Sequence, residues 1–113
     1  MSNKSVGTSP ATVAPPMKPH YSNSIRTNSG PLLFVAGQVA LDADGKLVGE
    51  GDIRAQTTQV LENIRAIVEA NGATMADLAQ VTVYVRDIDA FSSVSDIREH
   101  YFPADGPASA IVE

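Results

Sequence analysis

Cysteine is absent from the chain. That excludes disulfides, thiolate metal sites and a cysteine nucleophile, fits a reducing compartment, and leads us to expect a cytoplasmic protein. Long apolar runs are absent too. None approaches the roughly 20 residues a membrane-spanning helix needs, and the N-terminus has no apolar stretch of the signal-peptide kind. Positive charge is scarce: Lys and Arg number 8 against 13 Asp and Glu, for a net charge of −5. The basic residues are scattered singly, so a phosphate backbone is repelled and nucleic-acid binding is disfavoured. The two histidines, His20 and His100, lack a second ligand at metal spacing, so no metal site is expected and both are placed at the surface. Asp42 and Asp44 precede Gly45, but the register of a calcium loop would put Gly51 at the closing position where glutamate is needed; a plain hairpin turn is expected instead. Gly49 and Gly51 do not complete a dinucleotide fingerprint and there is no P-loop, so no cofactor is expected.

What is present suits one domain: 113 residues, of which 43% are hydrophobic, enough for a packed core. Residues 1–18 are rich in Ser, Thr and Pro, bury too little to offset the entropy of ordering them, and read as a flexible leader before a domain over 19–113. Residues 20–27 suit a short strand, and Asn28-Ser29-Gly30-Pro31 a turn. Residues 32–41 (LLFVAGQVAL) are apolar on both faces, which predicts a strand covered on both sides, one of them by a neighbouring subunit. Asp44-Gly45 signals a hairpin into a short strand at 46–48. Asp52 is a good N-cap for a helix that Asn71-Gly72 should stop. Gln56, Gln59 and Asn63 fall on its solvent or subunit edge. Val81, Val83 and Val85 alternate with polar residues, as in a strand with one apolar face. Asp89 is placed to cap a second helix carrying Phe91, Val94, Ile97 and Tyr101, which Pro103 ends; a further strand begins at 108–112. Strands alternating with helices predict an α/β (α+β) layer structure, helices on one face of a mixed sheet.

This order, together with Ala36-Gly37-Gln38, the QTTQVLENIRAIVEANGA helix, VTVYVRDIDAF and PASAIVE, resembles the RidA/YjgF family from about Tyr21 to Glu113. The resemblance implies a Bacillus chorismate mutase-like fold, a mixed β-sheet with two helices on one face. It also implies a homotrimer with ligand sites between subunits. Active members hydrolyse reactive enamines and imines derived from amino acids to the 2-oxo acid and ammonia; older labels include endoribonuclease L-PSP and translation inhibitor. The family continues into a last strand bearing a glutamate, so the chain is expected to lack that strand, its sequence continuing past Glu113.

The family pattern carries over residue by residue. Tyr21 matches the tyrosine that lines the cleft. The family's Ser-Gly-Gln is Ala36-Gly37-Gln38, its helix asparagine is Ser95, and its Pro-Ala-Arg-Ser is Pro107-Ala108-Ser109-Ala110. Expected ligand-binding residues are therefore Tyr21, Ala36, Gly37, Gln38, Ser95, Ser109 and Ala110, around a small molecule. Gly37 permits close backbone approach, and Ser109 and Ala110 are small. Ser109 stands where a carboxylate-binding arginine is usual, which predicts little 2-iminobutanoate or 2-iminopropanoate deaminase activity, because a neutral side chain cannot copy a bidentate guanidinium. No His–Asp pair is placed to make Ser109 a nucleophile. Arg26, Arg86 and Arg98 are candidates to replace the lost guanidinium, Arg86 foremost for its place beside Tyr84, although each reads as a solvated surface arginine. The expected function is a divergent deaminase. The alternative is a non-catalytic metabolite-binding trimer, and a ribonuclease suits the acidic charge poorly.

Overall fold

The computed structural model describes residue 4 and residues 7–28 and 30–113. Ser29 of the expected turn, and residues 1–3 and 5–6 of the expected leader, lie outside the described residues.

The main helix, α1, spans Ile53–Ala70. Its start is set by Asp52, whose carboxylate accepts from Arg54 N and Ala55 N at 3.0 and 3.1 Å and so satisfies amides that have no partner within the helix. Its end is a left-handed glycine cap. Gly72 has φ +80°, Gly72 N donates to Glu69 O at 3.0 Å, and Ala73 N donates to Val68 O at 2.9 Å. Leu61 and Val68 point from its buried side into a cluster with Met75 and Phe102, joined by half-buried Val35, Ile64, Val81, Ile97 and Tyr101.

Strand β1 covers Gln80–Tyr84 and strand β2 covers Ala108–Val112; they pair in parallel, Gln80 opposite Ala108 and Tyr84 opposite Val112. Parallel strands need a long crossover, and the segment between them supplies it. The segment opens as a 3-10 helix over Ile88–Val94 and continues as helix α2 over Ser95–Tyr101. The single helix capped by Asp89 is thus corrected. Asp87 is the cap, accepting from Asp89 N at 3.0 Å, and the first half is wound more tightly. Phe91 and Val94, three apart, share one face of this 3-10 segment, and Ile97 follows in α2. Residues of α1, of α2 and of β1 meet in the one cluster, so both helices lie on the same face of the sheet. The result is an α/β domain of two helices and a sheet, the expected class.

The strands expected at 20–27, 32–41 and 46–48 need correction. Residues 20–27 contribute only isolated bridges, Ser22 to Ala108 and Thr27 to Lys4; between the other two segments the one β-bridge among the described residues is Leu41 to Leu47. A strand exists through its ladder partners, and among the described residues no bridge forms to residues 32–40. The Asp-Gly turn itself forms as expected. Asp42 N bonds Lys46 O at 2.9 Å, Val48 N bonds Ala40 O at 2.8 Å, and Gly45 has φ +77°. Asn63, expected at the helix edge, reaches out of α1 to hold this arm, its Nδ2 donating to Val39 O and Leu41 O at 3.3 and 3.0 Å.

Candidate functional site

The polar side chains buried in the fold gather at the foot of β2. Ser22 N donates to Pro107 O at 3.0 Å and Ser22 Oγ to Gly106 O at 2.6 Å, which lays residues 20–22 alongside the entry to β2. Glycine is required at 106, because a Cβ there would press into the backbone carbonyl of His20. The close approach buries His20, 3% exposed, and Ser22, 5% exposed.

From the other side α2 delivers Arg98, only 5% exposed. Its Nη2 donates to Ser109 Oγ at 3.0 Å. The Phe91 and Phe102 rings stand 5.1 and 5.8 Å from the guanidinium carbon, within cation–π range. Burial pushes the Arg98 guanidinium below its ordinary value, with Tyr21 pushing the other way. Burial also pushes His20 down, and Arg98 and Lys18 push it further while Glu99 opposes them. His20 therefore favours its neutral form. Its ring stands edge-on to Tyr21 at 6.1 Å between centroids, and its Nδ1 is buried without a hydrogen-bond partner.

Two of the surface assignments made from sequence are therefore corrected: Arg98 and His20 are buried, while Arg26, Arg86 and His100 are exposed. The signal for Arg98 was present. It lies four residues after Val94 and four before Phe102, on the apolar stripe of its helix, where a solvated arginine would not sit. Nothing in the sequence around His20 marks it as buried; Gly106, far along the chain, causes it.

The other expected site residues divide between two clefts. Tyr21 Oη accepts from Met17 N at 3.0 Å and lines a cleft of about 420 Å³ with Met17, Lys18, Asn23 and Asp105. Gly37 and Gln38 line another of about 490 Å³ with Leu41, Asn63 and Ile67. Ala36 is exposed and its carbonyl accepts from Gln38 Nε2 at 3.2 Å. A Cβ on Gly37 would meet nothing within 4 Å, so no group among the described residues uses the room it leaves. Ser95 opens α2, half-buried, and Ala110 is exposed on β2 opposite Thr82. One chain thus joins Ser109 to Arg98 near Tyr21, and leaves Ala36, Gly37 and Gln38 on a separate surface. Among the described residues no group of three or more His, Asp or Glu is arranged to hold a metal ion, and no helix is long and apolar enough to cross a membrane.

Comparison with known proteins gives a consistent picture. The profile of the family described as Endoribonuclease L-PSP matches residues 11–113. A RutC family protein of Pyrococcus horikoshii is 42% identical over 93 residues, covering 82% of this chain and 72% of its own. Among solved structures, YyfB of Yersinia pestis, described as a protein of unknown function of the conserved Rid family, superposes with a TM-score of 0.87 at 34% identity, over 97% of this chain and 84% of its own. RidA from an Antarctic Psychrobacter superposes with a TM-score of 0.68 at 29% identity, over 88% of this chain and 78% of its own.

Proposed function

Because the chain belongs to the RidA/YjgF family, we propose that it is a divergent enamine or imine deaminase, a hydrolase acting on a small reactive metabolite in clefts between the subunits of a homotrimer. The observation that carries this reading is the buried polar junction at the foot of β2, where Arg98, Ser109 and His20 converge. The chemistry asks little of the protein. Water adds its oxygen to the imine carbon, a C–O bond forms, the C–N bond breaks, and nitrogen leaves as ammonia while the carbonyl remains. Such a reaction gains from a held substrate, an oriented water and stabilised charge, without a covalent nucleophile. Ser109 fits that role, since its Oγ accepts from Arg98 and no imidazole is bonded to it.

The trimer rests on exposed apolar surface. Phe34 is 87% exposed, Leu32 68% and Val39 63%, and these residues flank the open Gly37. A neighbouring copy covering them would gain roughly 1.5–3 kcal/mol for each large side chain fully buried, and would bring Ala36, Gly37 and Gln38 of one copy into a shared cleft.

The reading is tested by generating imines with an amino-acid oxidase and following their decay with and without the protein, alongside a neutral enamine. Accelerated decay of either supports a hydrolase. A second reading, a non-catalytic metabolite-binding trimer, is favoured by the neutral Ser109 in the place of arginine. Tight small-molecule binding with no accelerated decay of any imine or enamine would establish it instead.

A further inference from the structure

His20 is shut into the fold in a place that suits only its neutral form. It is 3% exposed, and among the described residues its Nδ1 has no hydrogen-bond partner. An imidazolium carries an N–H on both ring nitrogens, so a protonated ring here would bury a charge with a donor that meets no acceptor. The charged groups around it add to that cost. Arg98 of α2 and Lys18 of its own segment repel a proton on the ring, and only Glu99 of α2, at an exposed position, attracts one. Tyr21 stands edge-on beside the ring, and the loop before β2 carries Asp105, whose carbonyl takes Lys4 Nζ at 3.3 Å.

What closes over the ring is held by few bonds. Ser22 fixes residues 20–22 to the foot of β2, N to Pro107 O at 3.0 Å and Oγ to Gly106 O at 2.6 Å. The N-terminal segment is laid on this same stretch. Gly7 lies so close that a Cβ there would strike the Ser22 side chain. Thr8 N donates to Ser24 O at 3.3 Å, and Asn23 Nδ2 donates to Ser9 Oγ and to Ala14 O, both at 2.8 Å. The cleft of about 420 Å³ lies between the two, with Gly7, Ser9 and Met17 on one side and Tyr21, Asn23 and Asp105 on the other. It keeps its shape while residues 20–22 stay docked.

We propose that residues 20–22 are an acid-released latch: when the His20 ring takes a proton from solvent, they leave the foot of β2 and the Tyr21 cleft comes apart. The latch goes beyond the hydrolase reading and does not require it. With residues 20–22 released, the ring titrates at the ordinary histidine value of about 6.5. Docked, burial and the two cations hold it lower. Above about pH 6.5 neither form binds the proton, and release does not depend on pH. As pH falls from there, the released form binds the proton that the docked form resists, so release is favoured by up to about tenfold per pH unit. The gain stops once the docked form titrates as well.

Amide hydrogen exchange of the full chain, read by NMR as protection factors so that the intrinsic pH dependence drops out, tests the latch. The Ser22 amide, bonded to Pro107 O, should be less protected than the amides at the centre of α1 at every pH, because the latch opens without the domain unfolding. Its protection should be level above about pH 6.5 and fall by up to about tenfold per unit below it. His20→Gln, which has no proton to gain, should flatten the curve. Two exposed positions give the opposite signs: Lys18→Gln should shrink the total loss of protection, since one cation fewer lets the docked ring titrate sooner, and Glu99→Gln should enlarge it. If His20→Gln does not fold by circular dichroism, these two variants decide. A Ser22 protection that is flat in the wild type, that falls equally in His20→Gln, that moves the same way in Lys18→Gln and Glu99→Gln, or that equals the protection of α1 overturns the proposal.

Discussion

Gly106 decides whether the site exists. It lets residues 20–22 lie against the entry to β2, and a side chain there would meet backbone, which cannot rotate out of the way. Gly106→Ala should therefore cost about 1–3 kcal/mol, the range for overpacking a closed interior, and should expose His20. Urea unfolding gives the first quantity. The imidazole titration followed by NMR gives the second, because desolvation holds His20 below its ordinary value and its release returns it upward. An alanine variant with unchanged stability and an unchanged His20 titration would show that the close approach is not needed. Arg98 makes a related point about single residues. Its charge favours the surface, but its place on the apolar stripe of α2 favours the interior, and the stripe prevails because Phe91 and Phe102 give the guanidinium faces to stack on.

Helix α1 and the crossover are fastened by charge as well as by packing. Arg54 grips Asp96 with two parallel bonds of 2.8 Å and also donates to Ser93 O at 2.6 Å. Tyr101 Oη donates to Glu62 at 2.5 Å, and burial together with that carboxylate pushes the phenol up to about 12. The bond from Arg54 holds the Asp96 carboxyl down at about 2, against an ordinary 3.8. A carboxylate depressed in the folded state contributes stability above its unfolded value and loses it as pH falls toward the folded one. The Arg54–Asp96 contribution should thus be constant from neutral pH to about pH 4 and vanish by about pH 2. Thermal melts of the wild type and Asp96→Asn across that range should converge at the acid end. The pair is exposed, so the separation at neutral pH should be small. A gap that stays constant through the acid range would mean that the ion pair does not couple the helices.

At the scale of the whole molecule, apolar surface remains that a single chain does not cover. Phe34, Leu32, Val39 and Leu47 are all more than half exposed, and a solitary domain rarely leaves so many large apolar groups on one arm. Light scattering should give three times the mass of the chain at micromolar concentration. Phe34→Glu should shift the population toward monomer, since a charge placed in a closing apolar interface is costly to desolvate. A monodisperse wild-type monomer would remove the trimer and the intersubunit clefts with it.

The local features were legible in the residues themselves. Asp52 and Gly72 bound α1, the alternation of Val81 and Val83 makes β1, and Asp42 with Gly45 makes the turn, because capping, pleat and turn chemistry act over a few residues. Fold class followed from the alternation of strand and helix patterns, and the family from the resemblance carried by whole segments such as QTTQVLENIRAIVEANGA and VTVYVRDIDAF. Three things needed the tertiary structure. The 3-10 winding of Ile88–Val94 ahead of α2 is one, a choice between helix types that both bring residues three apart onto neighbouring positions. The unpaired course of 32–40 reflects ladder partners, which no sequence window contains. The junction of His20, Arg98 and Ser109 joins residues from the two ends of the chain. Burial is a property of what surrounds a side chain, and the surroundings of His20 and Arg98 include segments distant in sequence, so the residue types alone place both at the surface.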